Sequence, residues 1–183
     1  MATARNVVRK SFIEVSAPMT SAKLHVYCNS ADEMVGKTIT LDMTRALRGK
    51  SFELVLRLEK DGDKLIGQPI SLSLAGSFIR RSMRKSADYV EDSFIAETKE
   101  GKVRIKPFMI TRSRVSRAVL REIRSNARKL LEAYVRIKTP KELFSDLMTN
   151  KIQKELSMKL KKVYPLAFCE IRVFEIVQER KQF

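Results

Sequence analysis

Phe52-Glu53-Leu54-Val55-Leu56-Arg57-Leu58-Glu59 sets Phe52, Leu54, Leu56 and Leu58 on one side of an extended chain and Glu53, Arg57 and Glu59 on the other. That period of two describes a half-buried strand. Asp61-Gly62-Asp63 supplies turn chemistry, and the return strand follows in Leu65, Ile66, Ile70, Leu72 and Leu74, the last three alternating with Ser71 and Ser73. The same period recurs upstream in Phe12-Ile13-Glu14-Val15, Leu24 to Cys28 and Thr38 to Met43. Downstream, residues 88–98 and 102–110 pair around Lys99-Glu100-Gly101, with Val103 and Ile105 inward and Arg104 and Lys106 outward. Pro107 has no N–H to give a ladder and predicts a bulge or an edge.

Helical spacing lies between the two hairpins, where Phe78, Ile79, Met83 and Ala87 share one face and Arg80, Arg81, Arg84 and Lys85 the other. A long helix is predicted from Ser113 to Val135, then helices from Lys141 to Thr149 and from Lys151 to Lys162, stopped by Tyr164-Pro165. Ile171 and Val173 against Glu170 and Arg172, followed by Phe174, Ile176 and Val177, read as a closing strand. The fold class is therefore α+β: a mixed or partly closed sheet or barrel with a short inserted basic helix, a C-terminal helical part and a closing strand. One domain is expected over residues 1–183, mainly β over 10–111 with a helix near 77–87, mainly helical over 112–163, and closed by a strand over 166–178.

The composition narrows the chemistry. The chain has 183 residues with 44% hydrophobic, enough for a packed core, and carries 37 Lys and Arg against 21 Asp and Glu, a formal charge of +16. One His and two Cys leave little material for a His-based active site, a zinc cluster or a disulfide framework, so no catalytic residue, metal or cofactor is expected. No apolar run approaches a membrane span and the N-terminus lacks a signal-peptide stretch, so a soluble cytoplasmic protein without a membrane partner is expected. Sixteen Lys and Arg against seven Asp and Glu between residues 76 and 136 place +9 of the excess in one third of the chain. A polyanion is the partner such a region suits.

The long helix concentrates that charge. Arg114, Arg117, Arg121, Arg124 and Arg128 recur at spacings of three and four, within an arc of about 80°. Val115, Val119, Ile123, Ala127, Leu130 and Tyr134 gather on another arc, suited to docking on a core. A solvated face usually alternates sign, because like charges at i,i+4 repel; this face has one sign, and only Glu132 is placed to neutralise a member, Arg128. Guanidinium also grips phosphate oxygens bidentately. The arginines therefore point to phosphate-backbone contacts, and Arg80, Arg81, Arg84, Lys85, Arg104, Lys106 and Arg112 extend the surface if the hairpins pack beside the helix.

Other motifs carry less. Ala31 to Thr38 matches a relaxed phosphate loop, but Thr38-Ile39-Thr40-Leu41 is strand-like where that loop opens a helix, and Asp32 and Glu33 would repel a nucleotide. His25 has no acidic or Cys neighbour and reads as a surface or packing residue; Cys28 and Cys169 read as small apolar side chains, and Asp61 and Asp63 as turn residues. Stacking on unpaired bases is secondary, through Tyr27 or Phe108.

The order of these features resembles the S-three-Ae family of archaeal and eukaryotic small-subunit ribosomal proteins from about Lys10 to Val177. The segment Lys10 to Pro18 is similar to its basic-aromatic opening, and Val35-Gly36-Lys37-Thr38 to its strand opening, which accounts for the phosphate-loop look-alike. Ile79-Arg80 and Arg84-Lys85 resemble its basic helix, and Thr98-Lys99-Glu100-Gly101 with Val103-Arg104 its hairpin. Ile110-Thr111-Arg112, then Arg121-Glu122-Ile123, resemble the strand that leads into its Arg-rich helix, and Val163-Tyr164-Pro165-Leu166 its Ile-Tyr-Pro-Leu. The chain departs from the family in carrying Phe12 in place of Trp and Leu74-Ala75-Gly76-Ser77 in place of Leu-Thr-Arg-Asp.

The resemblance implies a non-catalytic constituent of the small subunit that binds rRNA near the platform and the mRNA exit. Its partners would be small-subunit rRNA, neighbouring ribosomal proteins and mRNA near the exit channel, with no homo-oligomer. It carries RNA contact onto Arg80, Arg84, Lys85, Thr111, Arg112 and Arg121. Lacking the long C-terminal extension of eukaryotic members, the chain is expected to be archaeal-like. The alternative is a free RNA-binding or RNA-chaperone factor.

Overall fold

The computed structural model describes residues 10–20, 23–62 and 64–177; Asp63 of the expected turn and residue 178 of the expected closing strand lie outside the described residues. In chain order the elements are β1 (Ser11–Ser16), β2 (Leu24–Cys28), a 3-10 turn (Asp32–Met34), β3 (Thr38–Asp42), β4 (Phe52–Asp61), β5 (Lys64–Leu74), α1 (Gly76–Ser82), β6 (Tyr89–Glu91), β7 (Phe94–Thr98), β8 (Gly101–Thr111), α2 (Arg117–Arg136), α3 (Pro140–Met148), α4 (Lys151–Leu160) and β9 (Leu166–Val177). The class is α+β with a mixed, unclosed sheet, paired in the order β2-β1-β5-β9-β8-β6, with β4 on β5, β3 on β4 and β7 on β8. β1 and β5 run parallel, whereas β1–β2, β5–β9 and the three pairs made by β8 are antiparallel.

Two compact units share this topology, one of residues 1–41 and 55–70, the other of 42–54 and 71–183. In the first, Val15, Leu58 and Leu65 are buried and Ile13, Leu24, Val26, Ala31, Met34 and Ile39 pack on them. Alternation along β1, β2, β4 and β5 puts these apolar side chains on the inner face. Gly67 lets β4 approach closely, since a Cβ there would meet Leu56 Cδ1 at 2.9 Å. The Gly36 N–H donates to Leu58 O at 2.8 Å and the Leu58 N–H to Lys37 O at 2.9 Å, so the chain after Gly36 joins strand β4. The phosphate-loop look-alike thus opens a strand.

The second unit is built on β8, which has β9 on one side and β6 and β7 end to end on the other. The bulge expected at Pro107 is present: Lys106 pairs with Val173 and Pro107 with Ile171, leaving Arg172 as the extra residue. On its other side Pro107 falls in the gap between β6 and β7 and pairs with neither, its carbonyl accepting from the Asp92 N–H at 3.4 Å. α2 packs on β6 and β7, α4 on β9, and both α2 and α3 touch α4. Phe144 of α3 and Phe174 of β9 meet edge to face, centroids 4.9 Å apart, at the centre of this core.

Lys50 bridges more distant parts of the same unit, its ammonium 2.5 Å from Glu170 Oε1 and 2.7 Å from Asn150 Oδ1. Glu170 is 6% exposed and its Oε2 has no partner among the described residues. Burial raises its pKa above 4.5, with Lys50 and Gln153 pulling the other way.

α3 begins with a capping box, Thr139 Oγ1 accepting from the Glu142 N–H and Glu142 Oε2 from the Thr139 N–H, with Pro140 at the first helical position. Thr139→Ala is expected to lower unfolding stability by about 1 kcal/mol in urea titration.

Three expectations need correction. The inserted helix stops at Ser82 rather than near residue 87, so Arg84 and Lys85 sit in the turn beyond it. It buries only Ile79, and Met83, expected on the apolar face, is 45% exposed. The expected helix over 151–162 ends at Leu160.

The long helix starts at Arg117, four residues later than expected, because residues 112–116, a bend followed by irregular chain, are tied from outside. The Val115 N–H donates to Asp88 Oδ2 at 2.9 Å, and Ser113 Oγ lies 2.6 Å from the Tyr164 hydroxyl. Its buried residues are Ile123, Ala127, Leu131 and Val135, not a fixed arc through Leu130 and Tyr134. That i, i+4 row winds slowly about the axis, as a ridge does when a helix crosses its support at an angle.

Candidate nucleic-acid interface

Delaying the start of α2 removes Arg114 from the helical row and leaves four arginines on it. Arg117, Arg121, Arg124 and Arg128 are all exposed. They span about 60° of azimuth and about 17 Å of axis. Ile123 and Ala127, about 130° and 90° round the helix from the centre of the row, are buried in the middle turns and so keep the row outward. Arg128 is the restrained member: its Nε donates to Glu132 Oε1 at 2.8 Å and its guanidinium lies 5.3 Å from the Phe94 ring centroid. Arg117, Arg121 and Arg124 have no ion-pair partner among the described residues.

Arg114 is redirected rather than lost. Its Nη2 donates to the carbonyl of Lys85 at 3.3 Å, which ties it to the turn that carries the exposed Arg84 and Lys85. Arg80 and Arg81 project from α1 just before that turn, the latter 5.7 Å from the Phe78 ring, and Arg112 is exposed on the segment leading to Arg114. A cluster of cations is therefore gathered by hydrogen bonds between residues 85–88 and 111–115.

Asp88 organises that junction. Its carboxylate holds Val115 N–H, and its carbonyl accepts the Thr111 N–H at 2.9 Å. Thr111 completes the clamp: its hydroxyl accepts from Asp88 N–H at 3.0 Å and lies 2.9 Å and 2.8 Å from the carbonyls of Asp88 and Ser113. Thr111 is 0% exposed, so it positions the arginines and does not itself reach a ligand, contrary to its expected role as a contact. Sequence reasoning passed over Asp88. The available signal was a lone carboxylate closing a run of cations from Arg80 to Lys85.

The β8 cations are less free. Arg104 sits opposite Glu175 in the β8–β9 ladder and donates to its Oε2 at 3.3 Å; Lys106 faces Val173 and is half-buried. Lys138 is also engaged, contacting Asp146 and donating to the Tyr134 hydroxyl at 2.7 Å, and the Asp146 bond raises its pKa. Phe108 is 2% exposed and unavailable for stacking, although Tyr89, 53% exposed, stacks on it at 5.9 Å. Cys28 is buried, and burial pushes the Cys169 thiol up to about 12, so Cys169 offers no thiolate at neutral pH. His25 is exposed on β2, and the described residues hold no cluster of three or more metal-ligating side chains. No helix among them is long and apolar enough to cross a membrane.

An α+β protein that presents its charge as a one-sign arginine row beside a clamped basic turn is built to bind, and comparison with known proteins supplies its family. The chain belongs to the Ribosomal S3Ae family, whose model matches residues 3–180. It is similar to small ribosomal subunit protein eS1 of Methanothermobacter thermautotrophicus, 27% identical over 74% of this chain and 72% of that protein. The eS1 protein of Nanoarchaeum equitans is 22% identical over 94% of this chain and 91% of its own length. That of Desulfurococcus amylolyticus is 24% identical over 88% and 80%.

Proposed function

We propose that this protein is a non-enzymatic, structural constituent of the small ribosomal subunit that holds folded rRNA through phosphate contacts, on the platform near the mRNA exit. The observation that carries the reading is the row Arg117, Arg121 and Arg124, exposed on α2 with no acidic partner among the described residues. Guanidiniums so placed follow a phosphate backbone at little cost in desolvation, and such contacts set position and register without reading bases. Arg80, Arg81, Arg84, Lys85, Arg112 and Arg114 form the second contact region, with Arg128, Arg104 and Lys106 contributing less because of their contacts. The names of the related proteins agree with a place in the small subunit, and the partners are rRNA and adjacent ribosomal proteins. Gradient sedimentation of cell extract tests this. The protein should travel with the small subunit at moderate salt, whereas recovery only in the ribosome-free fractions would favour a free RNA-binding or RNA-chaperone factor.

A further inference from the structure

The most exposed aromatic side chains of the described residues lie in the first compact unit. Phe12 is 72% and Tyr27 58% exposed. They face each other in the β1–β2 register, with ring centroids 5.0 Å apart and planes tilted by 44°. The inner face of this strand pair, Ile13, Val15, Leu24 and Val26, already packs against Leu58 and Leu65, so the fold makes no use of the outer rings. The outer face otherwise carries only polar groups: Lys10, Glu14, Ser16, Lys23 and His25. Lys10 Nζ stands 5.9 Å from the Tyr27 centroid.

We propose that the outer face of β1–β2 is a stacking platform for unpaired RNA nucleotides, Phe12 and Tyr27 taking base faces and Lys10 the phosphate between them. The proposal rests on the RNA-binding reading above and adds to it a second, non-electrostatic contact. Two rings on a strand pair offer flat π surface to any base, which is how sheet faces hold single strands without reading sequence. The groups next to the rings set a direction: Lys10 Nζ stands over Tyr27 on one side, whereas on the other the neighbouring cross-strand pair is Glu14 and His25, with Lys23 only beyond them. A phosphate therefore belongs at the Lys10 end. The patch is also small for a protein partner. Two aromatic side chains bury roughly 300–500 Å² in all, about half of the 800 Å² per partner that a stable protein interface uses.

The test measures binding of the full chain to a fluorescently labelled single-stranded rRNA fragment and to a blunt RNA duplex, over a range of salt. Phe12→Ala with Tyr27→Ala should weaken single-strand binding by about tenfold or more, leave the salt slope unchanged and leave duplex binding intact. Phe12→Tyr with Tyr27→Phe should retain wild-type affinity, and both side chains are exposed enough for the fold to survive either pair. Wild-type affinity in the Ala pair overturns the proposal, as does equal weakening on the duplex with a lower slope. So does loss of a neighbouring ribosomal protein with RNA affinity unchanged, which would make the face a protein contact. Arg117→Ala with Arg124→Ala, run alongside, separates the two readings: a lowered slope there with no effect of the aromatic pair removes this inference and keeps the phosphate-binding one.

Discussion

Arg117→Ala combined with Arg124→Ala should weaken rRNA binding by several tens of fold at about 0.1 M salt, close to 2 kcal/mol, and flatten the salt dependence. Each phosphate contact releases condensed counterions and contributes about 0.7 to 0.9 to the slope of log affinity against log salt, so the pair should lower the slope by about 1.4 to 1.8. Both side chains are exposed at helix positions whose buried counterparts are Ile123 and Ala127, so the fold should be unaffected. Arg128→Ala is the internal comparison. Its guanidinium is already held by Glu132 and lies over the Phe94 ring, so its removal should cost clearly less than either partner-free arginine. Filter binding or anisotropy over a salt series measures all three. A slope unchanged in the double variant would make the row a solvated face.

Lys50→Met should destabilise the protein by about 3 to 5 kcal/mol at neutral pH, more than any surface substitution. The loss comes from the group left behind: Glu170 is 6% exposed, one oxygen has no partner, and the ammonium 2.5 Å from the other would be gone. The pH dependence identifies the cause. Burial already raises the folded pKa of Glu170 above 4.5, so between that value and the raised one the folded state binds more protons than the unfolded state. The stabilising effect of protonation is full below the unfolded pKa and is lost as pH rises through the folded one. Without Lys50 that window extends upward. Urea unfolding should show the deficit shrinking steadily on acidification, and Glu170→Gln in the Lys50→Met background should recover much of it at pH 7. A deficit equal at every pH would assign the loss to packing of the Lys50 stem.

What the sequence disclosed was what adjacent residues decide. Alternation in Phe52 to Glu59 located β4, the missing N–H of Pro107 pointed to a bulge or an edge, and helical spacing from Lys141 to Thr149 located α3 to within a residue at each end. The outward arginines were legible for the same reason, since spacing on one helix sets azimuth. The errors arose where a remote side chain intervened. Asp88, 27 residues upstream of Val115, holds the Val115 N–H where local propensity favoured helix, and so takes Arg114 out of the row. Glu175, 71 residues from Arg104, occupies a cation that strand alternation could only describe as outward. Thr111 resembled a contact by its place in a motif, and only burial shows that it is a clamp.

The position of β9 in the strand order bears on how the protein is made. This strand, the last of the described residues, lies between β5 and β8, pairing with Ser71 to Ser73 on one side and with Lys102 to Thr111 on the other. While the polypeptide is still being synthesised, β5 and β8 therefore wait with open hydrogen-bonding edges until residues beyond Leu166 emerge. A strongly cationic nascent chain with two unfilled strand edges is prone to sticking, both to itself and to any polyanion nearby. Insertion of β9 closes both edges in one step and brings Phe174 onto Phe144 and Glu170 onto Lys50. Quality control of this protein thus rests on the twelve residues of β9, and a chain interrupted shortly before them would hold nearly all of its cations without a finished sheet to direct them.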